Sequence, residues 1–127
     1  MVRGARTRRR TVKESRTRSA HRLLGLARRA GAVAPGTDAV RRAIREGEAQ
    51  LILMAGDASG VQLEKIRTTL NDRSIPQVIL GDRSTLGAAV GLAPLAAVAV
   101  TSRSLADRLV AELEGADDED GTDAVEA

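Results

Sequence analysis

The sequence contains no Phe, Tyr or Trp, no Cys and a single His. Without aromatics the core must be built from Leu, Val, Ile and Ala, and an RNA-recognition sheet of base-stacking rings is excluded. Without cysteine there is neither a disulfide framework nor a thiolate metal site, and a reducing, cytoplasmic compartment is the simplest expectation. His21 stands beside Arg22 at the start of a helical pattern whose apolar face lies elsewhere. It reads as a surface residue and leaves serine-type catalysis without a base. No His or acid cluster has metal-ligand spacing, so no metal and no cofactor is expected. No apolar run reaches the roughly 18 residues of a membrane span, so no membrane partner is expected. The chain is expected not to be an enzyme.

What is present is one domain's worth of chain, 127 residues, with 43% hydrophobic and 29% charged residues, enough for a packed core. The net charge of +3 conceals blocks. Residues 1–18 carry eight basic residues against Glu14, a balance of +7, whereas residues 115–127 carry six acids and no base. Both ends lack apolar residues to bury, and the pattern predicts a disordered basic arm (1–18) and a disordered acidic tail (115–127) around a folded domain at 19–114. An arginine-rich end points to an anionic partner, nucleic acid above all, or else to a solvated tail.

The folded part alternates helix and strand. Leu23, Leu24, Ala27 and Ala30 share a helix face that Gly31 ends. A second helix, capped by Thr37 or Asp38 and stopped by Gly47, turns Val40, Ala43 and Ile44 inward. Residues 49–55 form an apolar run of buried-strand type, and 58–72 an amphipathic helix capped by Asp57 or Ser59. A strand at 76–80, a small helix at 84–90, a strand at 95–100 and a helix with Leu105, Leu109, Val110 and Leu113 inward complete the series. A weak fourth strand lies at 32–34. Short links between these elements predict an α/β fold, a three-layer α/β/α sandwich around a small mixed sheet of about four strands.

The turn Gly56-Asp57-Ala58-Ser59-Gly60 matches neither a Walker loop nor a dinucleotide fingerprint. The segment Pro35-Gly36-Thr37-Asp38-Ala39-Val40-Arg41-Arg42 carries more. Its helix start offers unpaired N–H groups and the positive end of a dipole, Gly36 admits a close backbone approach, and Arg42 lies one turn beyond Asp38. Such a segment can dock an RNA phosphate, or it is an ordinary cap flanked by solvated arginines.

The stretches Leu23-Leu24-Gly25-Leu26-Ala27-Arg28-Arg29-Ala30-Gly31, Gly36 to Gly47, Ala55-Gly56-Asp57-Ala58 and Leu86-Gly87-Ala88-Ala89-Val90-Gly91 together resemble the ribosomal L7Ae/L30e family, in particular its bacterial YlxQ-like branch, over about residues 20–113. The resemblance implies an α/β/α sandwich that binds structured RNA, typically a kink-turn, with ribosomal RNA, the ribosome or ribosomal proteins as partners and a monomer when free. In the family pattern an Asn-Glu pair follows the glycine and a Lys lies three residues beyond the Glu. Here Asp38, Ala39 and Arg42 occupy those positions, so the charge of the Lys is kept while the amide and the Glu side chain are lost. The resemblance implies RNA contacts at Gly36, Thr37, Asp38, Arg41, Arg42 and Arg45, and at a second region, Leu80, Gly81, Arg83 and Ser84. A protein-interaction module on the same fold, or an RNA-recruiting partner of a modification enzyme, is the alternative.

Overall fold

The computed structural model describes the backbone of residues 2–126 and the side chains of residues 16–114. Five helices and four strands follow one another as α1 (Val2–Arg29), β1 (Val33–Pro35), α2 (Thr37–Arg45), β2 (Leu51–Met54), α3 (Gly60–Leu70), β3 (Gln77–Ile79), α4 (Arg83–Ala89), β4 (Ala97–Val100) and α5 (Arg103–Glu126). Residues 16–18, expected in a disordered arm, are helical instead. Arg16 is anchored to Glu112 by a salt bridge of 2.9 Å, and Ala20, one turn on, is fully buried, so α1 begins upstream of Ser19. The rest of the arm and the acidic tail, as expectations, lie outside the residues whose side chains are described.

The four strands form one mixed sheet in the order β1-β4-β2-β3. β4 is antiparallel to both β1 and β2, and β3 is parallel to β2. β1, β2 and β3 therefore point the same way and end at one edge of the sheet. The pleat sorts the core into two layers. Leu51 and Leu53 of β2 and Val98 and Val100 of β4 pack with Leu24, Leu86 and Leu109 beneath α1, α4 and α5. Ile52, Ala97 and Ala99 face Val40, Ile44 and Ile66 of α2 and α3. The alternation of period two puts alanines of β4 on the α2 side, where small side chains let that helix lie close, and valines on the other. Burying each of these aliphatic side chains contributes roughly 1.5–3 kcal/mol, which is how a core without aromatics holds.

Helix ends are set locally. α1 and α2 stop where the sequence pattern places them: Gly31 N donates to Arg28 O at 3.0 Å and Ala32 N to Ala27 O at 2.8 Å, and Gly47 and Glu48 repeat the arrangement on Ile44 and Ala43. The start of α2 differs from expectation. Neither Thr37 nor Asp38 caps it. The N-cap is Gly36, at φ 95° and ψ 156°, a region that only glycine occupies without strain, and no side chain bonds to the helix end. α3 is capped by Ser59, whose hydroxyl accepts from Gln62 N at 3.2 Å, which leaves Asp57 for another use.

Candidate nucleic-acid interface

Because β1, β2 and β3 end at the same edge, the helices that follow them all begin there, and in α/β folds this carboxyl edge is where ligands gather. Backbone bonds lock the edge together. Gly36 N donates to Ala97 O and Ala55 N to Ala96 O, both at 2.8 Å, Gly56 N donates to Gly81 O at 2.8 Å, and Leu95 N donates to Arg83 O at 3.0 Å. The result is an open cavity of about 580 Å³ walled by the start of α2 (Gly36 to Ala39), the first turns of α3 (Ser59, Gln62, Lys65), Arg83, and the strand-leading residues Pro94, Leu95 and Ala96.

Arg83 is held by Asp57 through both its backbone and its side chain. Its N–H donates to Asp57 Oδ1 at 2.8 Å, and its Nε lies 3.5 Å from Asp57 Oδ2 with both side chains about half exposed. Asp82 caps α4 through a reciprocal box, accepting from Thr85 N at 2.8 Å while its own N–H donates to Thr85 Oγ1 at 3.0 Å. The Thr85 N–H holds the Asp82 carboxyl below its ordinary pKa. An exposed ion pair such as Arg83–Asp57 contributes little to stability, about 0–1 kcal/mol, and engages one of the five guanidinium donors. Arg83 thus brings a fixed positive charge with spare donors to one wall. Lys65 brings a second, and the uncapped amides of α2 supply partial positive charge opposite. Asp38, exposed at the first turn of α2, is the one acid in the lining.

The ten residues expected to contact RNA separate into groups. Gly36, Thr37, Asp38 and Arg83 meet in the cavity. Arg41 turns away to donate from Nε to Thr69 Oγ1 at 2.9 Å and lines a neighbouring groove with Gly60, Val61, Glu64, Lys65 and Thr68. Arg42 and Arg45 are exposed on α2 outside the cavity lining. The Leu80 side chain is core, 2% exposed. Gly81 lines a separate groove with Thr17, Arg18, His21, Asp82 and Thr85, and Ser84 is exposed in the first turn of α4. Periodicity missed Lys65, Gln62 and Ser59, although their spacing of three places them on one polar stripe beside the inward Ile66. It also missed the 94–96 wall.

His21, expected at the surface, is half-buried at the wall of the groove that Gly81 lines. The imidazole sits half-buried against Gly81 and donates to the Thr17 carbonyl, leaving Nε2 buried with no partner. Burial pushes its pKa below the ordinary histidine value, against the opposing pull of the Thr17 carbonyl and of Asp82. Among the described residues no group of three or more His, Cys, Asp or Glu could hold a metal ion, and no helix is long and apolar enough to cross a membrane.

The profile of the ribosomal protein L7Ae/L30e/S12e/Gadd45 family matches residues 18–110, the whole of the two-layered core. The chain belongs to this family. Over 92 residues it is 36% identical to the RNA-binding protein YlxQ of Bacillus subtilis (strain 168), spanning 72% of this chain and 92% of that protein. It is 35% identical over 71 residues to the large ribosomal subunit protein eL8 of Picrophilus torridus, spanning 55% of this chain and 56% of the relative. Among solved structures, a protein with unknown function from Bacillus halodurans C superposes with a TM-score of 0.70 at 27% identity, covering 75% of this chain and 96% of the other. The Giardia lamblia 15.5kD RNA binding protein superposes at 0.61 and 19% identity, covering 76% and 85%, a likeness of fold. The L7Ae/L30e match begins at residue 18, and most of the arginine-rich segment lies outside it.

Proposed function

We propose that this L7Ae/L30e-family chain is a non-catalytic RNA-binding protein that docks a folded RNA of kink-turn type, ribosomal RNA being the favoured class, in the cavity between the start of α2 and Arg83. The observation that carries the reading is the meeting of the uncapped amides of Thr37 to Ala39 with the charges of Arg83 and Lys65 around one open cavity. Phosphate oxygens suit that lining, since backbone N–H groups at a helix start and guanidinium forks are the usual donors to them. The names of two relatives, an RNA-binding protein and a large-subunit ribosomal protein, support the ligand class. Asp38 and Ala39, where the family pattern has an Asn-Glu pair, remove base-reading groups and shift the balance of recognition toward phosphates. The arginine-rich segment adds affinity that does not depend on sequence.

Binding measured by fluorescence anisotropy against a ribosomal RNA fragment containing a kink-turn tests this reading. With about five phosphates neutralised, log affinity falls against log salt with a slope of about −4 to −5, and a perfectly paired duplex of equal length binds more weakly. An affinity that is flat in salt, or equal for the two RNAs, contradicts it.

A further inference from the structure

The two ends of the chain leave the core at one place. Thr101 N donates to Ala32 O at 2.8 Å, which joins the finish of α1 to the approach of α5, and farther along both helices Arg16 Nη1 meets Glu112 Oε2 at 2.9 Å. The two helices therefore run antiparallel. Segment 1–15, with six basic residues and Glu14, continues from Arg16, and segment 115–127, with six acids and no base, begins three residues after Glu112. A net +5 and a net −6 are thus tethered side by side. Both segments continue their helices, α1 from Val2 and α5 to Glu126, and at about 1.5 Å per residue each runs for roughly 20 Å, so the acidic segment matches the basic one in length. A short tether holds its two ends at an effective concentration in the millimolar range.

Resting on the RNA-binding reading above, we propose that the acidic segment 115–127 is the occupant of the basic segment 1–15 when RNA is absent, and that RNA must displace it. The Arg16–Glu112 bridge is the last described rung of that pairing. Each carboxylate that sits on a guanidinium stands where an RNA phosphate would, so the tail acts as an internal counterion. It weakens binding to stray polyanions and yields to a ligand that also fills the cavity at Arg83. Because the pairing is ionic, the competition is strongest at low salt and fades as the Debye length shortens.

The chain carries two lysines, Lys13 in the basic segment and Lys65 on α3, and these make the pairing readable in the full-length protein. Zero-length carbodiimide coupling is expected to join Lys13 to acids of 115–127 at about 50 mM salt. The adduct is lost at about 0.5 M salt or on adding the kink-turn RNA, and Lys65 forms no adduct with the tail. In parallel, a chain with Asp117, Asp118, Asp120 and Asp123 changed to Asn, and Glu119 and Glu126 to Gln, is expected to bind that RNA about tenfold more tightly at low salt and equally at high salt. No Lys13 adduct at low salt overturns the pairing, even where RNA still binds. An adduct with unchanged RNA affinity in the neutralised chain overturns the competition. Failure of both chains to bind any RNA while the adduct persists overturns the RNA reading, and the competition with it.

Discussion

Gly87→Ala lowers the thermal midpoint of the protein by roughly 4–16 °C. Gly87 is buried in the last turn of α4, and the chain doubles back across it, Leu92 N bonding to Gly87 O at 2.8 Å and Gly91 N to Ala88 O at 3.0 Å. A methyl group there would collide with the Ala93 carbonyl oxygen and stand 2.7 Å from the carbonyl carbon and 3.0 Å from Leu92 O. These are backbone atoms, so no side-chain rotation gives relief. Forcing a methyl into packed space costs about 1–3 kcal/mol, while the intrinsic helix preference of Ala over Gly returns about 1 kcal/mol. The collision is with carbonyl groups on a short loop, and the upper half of that range applies. At about 4–8 °C per kcal/mol for a domain of this size, circular dichroism detects the shift easily. Since Ala93 leads directly into Pro94, Leu95 and Ala96 of the cavity wall, the folded fraction should also bind RNA less tightly. Gly60→Ala is the control: nothing lies within 4 Å of the added methyl, and its midpoint should stay within about 2 °C. An unchanged midpoint in Gly87→Ala would mean that the 90–96 loop is not fixed by that contact.

Arg83→Glu reduces affinity for a structured RNA about 10- to 100-fold at low ionic strength, with little loss of stability. Removing one side-chain contact of this kind ordinarily costs about 1–3 kcal/mol, and reversal replaces attraction with repulsion beside Asp57, so the upper part of that range is expected. Stability changes little because the side chain is half exposed and its partner Asp57 is equally so. The Arg83 backbone bond to Asp57 does not depend on the side chain, and the cap of α4 is supplied by Asp82 and Thr85. Arg42→Ala, on α2 but outside the cavity lining, gives the comparison, with a smaller, roughly uniform loss across RNAs and a salt slope shallower by about one. Equal losses from the two substitutions would mean that affinity is spread over the surface and that the cavity has no special part in it.

The strands and helix stops were legible because they follow from short-range chemistry. An apolar run of strand length, bounded by turn residues, fits a strand covered on both faces, and Gly31 and Gly47 close their helices by bonds within a few residues. The upstream reach of α1 was hidden. An arginine-rich run has no apolar periodicity to signal a helix, yet arginine is a good helix former, and the stabilising contact of Arg16 comes from Glu112, 96 positions away. His21 was misread for the same reason, since the turn at Gly81 that covers it arrives from another part of the chain. The candidate site was half legible. The glycine-led start of α2 and Arg83 can be found by residue type, but their meeting depends on the strand order β1-β4-β2-β3, which no local pattern encodes. The same order brings in Lys65 and the 94–96 wall. It also leaves Arg42 and Arg45 outside the cavity lining.

The central claim is that the carboxyl edge of the sheet is the face that meets RNA. Titrating a kink-turn RNA fragment into isotopically labelled protein and following backbone amide resonances tests it most directly. The account predicts the largest shifts at Gly36 to Ala39, Lys65, Arg83 and Leu95 to Ala96, with residues at the opposite edge, Gln50, Ser74, Ile75 and Asp107, unmoved. Shifts concentrated at that opposite edge, or confined to the arginine-rich segment with the cavity silent, would contradict it.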